Sequence, residues 1–237
     1  MTSSADEQGK SLSTPEFWNE RYDTRTDDNP THEWFRSYES LSSFFQTHLP
    51  SAASNPKILH LGSGDSTIPY DLARNRGYRD QVCVDFSQVV VDFMQRKNKS
   101  SNDDNNVVGG GDGTVWKWAD VRNLRDTVAD GSIDVAFDKG TMDAMIHGSP
   151  WDPPEDVWDN TGAYVREVHR ILKKKEEEGG GGGGSGGGGV FLYVTYRQPH
   201  FIRPLLLGRG VEWEVEMEVL GEGGSSFEYF GWVLRRK

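Results

Sequence analysis

A mostly parallel α/β sheet of seven strands, flanked by helices and closed by an antiparallel C-terminal hairpin, is predicted by three features of the 237-residue chain. Short apolar runs alternate with helical periodicities between residues 57 and 196, the pattern of parallel strands joined by crossover helices. Successive runs end in aspartate. The last two stretches alternate side-chain character and are separated by Gly and Ser, which reads as an antiparallel pair.

Taken in order, residues 1–13 are small and polar and are expected to form a disordered tail. A helix is predicted from "STPEFWNERYD": Ser13 or Thr14 caps it, Pro15 suits the first turn, and Phe17, Trp18 and Tyr22 share adjoining positions. "EWFRSYESLSSFFQTHL" predicts a second helix through Phe35, Tyr38, Leu41 and Phe45, so residues 14–50 make an N-terminal helical lid. "KILHL" is the first strand, Ser66 to Arg76 a helix, "QVCVD" the second strand, and Ser87 to Lys97 a helix bearing Val89, Val90, Phe93 and Met94. Residues 99–114, polar and Gly-rich, are expected to be a flexible insertion. "VWKWAD", "SIDVAFD" and "VFLYVTY" supply the third to fifth strands, and "AYVREVHRILKK" is a helix that begins after the loop "GSPWDPPEDVWDN". Residues 176–189 are a second expected flexible insertion, whose Gly179 to Gly189 tract carries no chemistry. "EWEVEMEVL" and "FEYFGWVLRR" form the closing pair, which leaves residues 14–237 as a single domain.

Composition narrows the function. The chain holds 8 Trp, 8 Tyr and 11 Phe, enough aromatic surface for a core. With 37 acidic and 26 basic residues its net charge is −11, a field that repels phosphate backbones, so no nucleic-acid substrate is expected. Cys83 is the single cysteine, which excludes an internal disulfide and most cysteine-rich zinc sites, and no metal site is expected. No apolar stretch approaches the roughly 18 residues of a membrane span, and the N-terminus lacks a basic start followed by an apolar core. A cytoplasmic protein, monomeric and without membrane attachment, is the expectation.

The stretch "ILHLGSGDS" runs from a strand through glycines towards a helix. Gly62 and Gly64 fit the start of a dinucleotide fingerprint, but Thr67 stands where the third glycine belongs, and two glycines also suit a plain tight turn. Asp85 ends the second strand 23 residues after Gly62, near the spacing of a carboxylate that accepts ribose hydroxyls, although a helix cap explains it too. Asp120 and Asp138 end the third and fourth strands. Three carboxylates therefore face the carboxyl edge of the sheet, where ligands of such folds bind. A nicotinamide cofactor would need donors for its phosphates, whereas S-adenosylmethionine has none and carries positive groups, which favours S-adenosylmethionine in acidic surroundings.

"FWNERY", "EWFRSY", "ILHLGSGDS", "VDFSQVVVDFM", "ADVRNL", "FDKGTMDAMI", "EVHRIL" and "YVTYRQPHF", in this order, resemble the class I methyltransferases of the branch that methylates lysines of translation elongation factor 1A. The resemblance covers roughly residues 14–237 apart from the two insertions, and "DKGTMDA" with "QPHF" is its most specific part. It implies a Rossmann-like fold and S-adenosylmethionine as cofactor. By this resemblance Gly62 and Gly64 let the backbone approach the methionine part, Asp85 binds the ribose, Phe86 packs on adenine, and Asp120 and Val121 read the adenine edge. Trp18, Arg21, Tyr22 and Trp34 fold over the cofactor, with Arg21 a partner for its carboxylate, although core packing also accounts for the tryptophans. Asp138 and Lys139 sit beside the methyl-bearing end. Ser63 replaces the usual Cys of that branch, Asp138 its usual Glu, and the glycine tract a compact turn.

Methyl transfer from a sulfonium is a direct displacement, for which the protein supplies alignment and a dry site. Neutralising a lysine amine at pH 7 costs about 4.6 kcal/mol, and burial among aromatics lowers that cost. An aromatic slot is therefore expected from Tyr196, Phe201 and Trp151, with Asp138 or Asp143 orienting the amine and His200 either relaying a proton or serving structure alone. A protein substrate such as elongation factor 1A is the leading expectation. A small-molecule methyltransferase, a non-catalytic cofactor-binding subunit and a nicotinamide oxidoreductase are the alternatives.

Overall fold

The computed structural model describes residues 4–23, 31–103, 113–175, 188–208, 210–221 and 228–237. Three helices, α1 (Ser4–Ser11), α2 (Pro15–Asp23) and α3 (Ser42–His48), precede the sheet. There follow β1 (Lys57–Leu61), α4 (Ile68–Arg76), β2 (Asp80–Asp85), α5 (Gln88–Asp103), β3 (Thr114–Trp118) and β4 (Val135–Lys139). The chain then forms α6 (Thr141–Ala144), α7 (Glu155–Ile171), β5 (Val190–Thr195), α8 (Pro199–Leu207), β6 (Trp213–Leu220) and β7 (Tyr229–Arg236).

The seven strands lie in the order β3-β2-β1-β4-β5-β7-β6. β1 to β5 are parallel, while β7 runs antiparallel to both β5 and β6, as the alternating tail predicts. β1 and β5 read as continuous apolar runs because both faces of the sheet are covered. Strand alternation sends Leu59 and Leu61 into one core, against Tyr164 and Val168 of α7, and Ile58 into the other, against Phe45 and Leu72. Each such buried side chain contributes about 1.5–3 kcal/mol of hydrophobic stabilisation. No helix among the described residues is long and apolar enough to cross a membrane.

Four local expectations change. The expected tail contains α1, which is held in place: Gly9 passes close to His147, Lys10 pairs with Asp156 at 3.3 Å, and Trp18 Nε1 donates to the Leu12 carbonyl at 2.7 Å. The second lid helix shrinks to α3. Phe35 adopts a left-handed φ of 64°, and the Ser37 and Ser40 side chains bond locally in a turn, so the helix starts only at Ser42. α7 starts at Glu155, inside the expected loop, because Pro154 opens the helix and Glu155 and Asp156 meet the positive end of its dipole. α5 runs on to Asp103, into the expected insertion, while residues 104–112 and 176–187 lie outside the described residues. The short α6 and the apolar α8 were not predicted; in α8, Pro199 and Pro204 mask the helical signal that Ile202, Leu205 and Leu206 carry.

Candidate functional site

The sheet reverses direction of build between β1 and β4, and at such a switch the carboxyl ends of the strands part to leave a crevice. A cavity of about 250 Å³ opens there. Its floor is the turn after β1. Gly62 and Gly64 hold φ values of 55° and 53°, and a Cβ would lie 2.2 Å from Thr141 Oγ1 at the first and 2.6 Å from the Tyr22 hydroxyl at the second. Both positions thus require glycine through conformation and through close approach.

Asp85 is buried beside this turn. Its Oδ2 accepts from Gly64 N at 2.9 Å and its Oδ1 from Ser87 N at 2.9 Å, so one carboxylate ties the β1 turn to the β2 end. Burial raises its pKa to about 6 against these hydrogen bonds, and nearby Asp65 pushes the same way as burial. Phe86 lines the cavity next to it, its carbonyl accepting from Trp118 Nε1 at 2.9 Å. Asp120 and Val121 form the far wall. Asp120 is gripped by Arg122, whose Nε and Nη2 donate to it at 2.9 and 2.7 Å while Nη1 reaches Asn160.

The lid crosses the mouth. Trp18 stacks on Tyr22 with centroids 5.8 Å apart and meets Trp34 edge-on at 5.9 Å; all three line the cavity, as do Leu12 and Ser13. Asn19 Oδ1 accepts from Ser87 Oγ at 2.7 Å and fastens α2 to the β2 end. Arg21 lies with its guanidinium 4.7 Å over the Trp34 ring and is not among the lining residues, so the structure does not bring it to the position expected of a carboxylate partner. Trp34 Nε1, by contrast, is a buried donor on the cavity wall with no acceptor among the described residues.

At the opposite end, strand alternation sorts β4. Phe137 and Lys139 face the cavity, so Asp138 between them faces away. Fully buried, it accepts from Thr141 N at 2.7 Å, Met142 N at 3.0 Å and the Tyr164 hydroxyl at 2.7 Å. Burial, opposed by the Tyr164 bond, raises its pKa to about 7. It therefore positions α6 rather than standing beside a bound ligand. Lys139 Nζ pairs with Glu33 at 2.7 Å and donates to the Trp34 carbonyl; burial lowers its pKa and Glu33 opposes that. Glu33 also accepts from Ser66 Oγ and Thr67 N, which latches the lid to the start of α4.

Asp143 lines the cavity, but Tyr193 and Thr195 hydroxyls occupy its two oxygens at 2.6 and 2.7 Å, and Arg197 Nε lies at 3.4 Å. Its pKa is raised by burial against those bonds. Tyr196 also lines the cavity, edge-on to Phe35 at 5.3 Å. His200, Phe201 and Trp151 do not: they pack on one another outside it, with Trp151 80% exposed and 4.7 Å from Phe201. The aromatic wall is instead Tyr196 with Phe35 and Trp34. Sequence reasoning missed Glu33, Phe35 and Thr141 because it assigned Glu33 and Phe35 to a helix and gave Thr141 no element; Glu33 beside Trp34 in "HEWF" was the available signal.

These are the parts of a class I methyltransferase fold, and comparison with solved structures agrees. A protein solved in work on converting a disulfide bond into a thioacetal group during echinomycin biosynthesis superposes with TM-score 0.62 at 13% identity, covering 94% of this chain and 93% of the other. The geranyl diphosphate C-methyltransferase of Streptomyces coelicolor A3(2), solved with S-adenosyl-L-homocysteine, gives 0.54 at 13% identity over 94% of this chain and 98% of its own. At these identities the likeness shows the fold. In sequence the chain resembles the EEF1A lysine methyltransferases: the mouse EEF1A lysine methyltransferase 4 is 30% identical over 78% of this chain, and the Bos taurus protein 25% over 93%. The chain spans 62% of the length of the mouse relative and 74% of the bovine one. No family model matches.

Proposed function

We propose that the protein is an S-adenosylmethionine-dependent protein-lysine N-methyltransferase whose substrate is an elongation factor 1A-like protein. The observation that carries this reading is Asp85, a buried carboxylate pinned by Gly64 N and Ser87 N at the glycine turn, where it suits a ribose diol. The cavity fits the cofactor in other respects. The glycine turn leaves no Cβ in the way, Asp120 is held rigid by Arg122, and the Trp34 indole N–H is a buried donor suited to a carboxylate. Bound there, S-adenosylmethionine supplies an electrophilic methyl group on sulfonium.

The chain's own residues do the rest. Asp85 accepts from the ribose hydroxyls, while Phe86 and Val121 cover the adenine. Trp18, Tyr22 and Trp34 close the mouth and exclude water, which strengthens every polar contact inside. Phe35 and Tyr196 form the slot for the acceptor side chain; their apolar rings favour the neutral amine, whose proton leaves to water before transfer. Asp143 fixes Tyr193 and Thr195 and already faces the Arg197 guanidinium, which satisfies its charge in place of the amine. A net charge of −11 favours a basic protein surface as partner. A cytoplasmic, monomeric protein accords with this reading.

The test is incubation with a methyl-labelled donor and cell lysate, then with purified elongation factor 1A, followed by mass spectrometry of labelled peptides. Label on a lysine of that factor is expected. Label confined to small metabolites sinks the protein substrate, and donor binding without any turnover sinks the enzyme.

A further inference from the structure

A second concavity lies along one face of α7 and meets the cavity just described at Arg122, which lines both. It measures about 420 Å³ and is lined by Arg122, Arg125, Arg166 and Arg170, with Asp130, Glu167 and Ala163 completing it. Ala163, Arg166, Glu167 and Arg170 recur at helical spacings of three and four, so α7 presents them on one face. The loop carrying Arg122 and Arg125 is clamped against that face, because Leu124 N donates to Glu167 Oε2 at 2.8 Å. Two of the arginines are already fixed. Arg170 forks onto Glu167 at 3.0 and 2.7 Å and also bonds Asp130, while Arg122 forks onto Asp120. The other two, Arg125 and Arg166, are exposed and make no hydrogen bond or ion pair among the described residues; Arg125 only feels the charge of Glu167.

Counting Asp120 on Arg122, four guanidiniums meet three carboxylates, which leaves the groove net positive on a chain whose net charge is −11. Such local inversion of sign, on a rigid helix face, selects anions. Size and lining narrow the ligand. The volume lies within the range of about 300–1,000 Å³ of small-molecule sites. Ala163 is the one apolar residue of the lining, so the groove offers none of the buried anchors on which a protein partner depends. No aromatic side chain stacks there to receive a base, and the field of the whole chain opposes a long phosphate backbone. Two open guanidinium forks ask for more than one charged, oxygen-rich group in a row.

We propose that this groove binds a short polyphosphate chain, free or carried by a nucleotide, with Arg125 and Arg166 as its mobile ligands and Arg122 and Arg170 as its fixed ones. Titration calorimetry of the full chain with inorganic tripolyphosphate, ATP and, at matched ionic strength, sodium sulfate tests it. Tripolyphosphate is expected to bind the wild-type protein and to bind the R125Q/R166Q double variant about 2- to 30-fold more weakly, the loss of two solvent-exposed ion pairs. Both residues are exposed, and an unchanged melting temperature shows that the variant folds. ATP binding as tightly as tripolyphosphate means that the chain alone is read from either source; weaker ATP binding means that the free chain is the ligand. Sulfate matching tripolyphosphate, ATP binding where tripolyphosphate does not, or equal affinity in the double variant each overturns the proposal.

Discussion

Asp85 and Asp138 show how a single residue's surroundings set its task. Both carboxyls are raised by burial, to about 6 and about 7, above the unfolded reference near 3.9. The folded state thus prefers them protonated. Their contribution is full below pH about 4 and is lost as pH rises through 6 and then 7. Denaturant unfolding of Asp138→Asn is therefore expected to have a flatter pH dependence between about pH 4 and 7 than the wild type. Cofactor binding runs the other way at Asp85, because the ribose hydroxyls call for the ionised form. Affinity for the methyl donor should rise through pH 6 and level off, and Asp85→Asn should lower it by about 10- to 150-fold, the value of a hydrogen bond to charge. Calorimetry across pH measures both. Asp85 was legible in the sequence from its place at a strand end 23 residues past Gly62. Asp138 was legible as a strand end but not as an inward-facing one, because which face an alternating residue takes depends on the neighbours that the sheet acquires.

Among the elements, the turn after β1 and the N-terminal lid carry the sharpest expectations. Gly64→Ala forces a left-handed alanine and drives its methyl into the Tyr22 hydroxyl, so a loss of at least about 1 kcal/mol and a melting point lower by a few degrees are expected. The lid extends further than residues 14–50 suggest, since Leu12 and Ser13 line the cavity and Leu12 accepts from Trp18. Removing residues 1–13 should weaken donor binding severalfold while circular dichroism of the sheet stays unchanged. The parallel strands were readable because apolar runs buried on both faces leave a direct mark. α1 and the irregular strap at 32–40 were not, because tertiary contacts hold them: Gly9 against His147, and Glu33 spanning Lys139, Ser66 and Thr67. Local periodicity contains no record of such partners.

For the molecule as a whole, the glycine tract and the sheet rim matter most. The chain leaves at Lys175 and returns at Gly188 beside it, where a Cβ would sit 2.8 Å from Lys175 N. A connection between neighbouring points gains little from length, so halving the tract should raise stability by roughly 0.6 kcal/mol, as denaturant midpoints will register. The succession of parallel strands and the closing hairpin were legible as a pattern of runs, whereas the spatial order, with β7 between β5 and β6, depends on packing over α7 and α3. That placing leaves β6 at the border of the sheet with Glu214, Glu216 and Glu218 projecting outward. A second molecule offering the same border would bring like charges face to face, which guards the protein against stacking into fibrils. Replacing Glu214 and Glu216 by Thr should remove that guard and show as growing light scattering at high concentration.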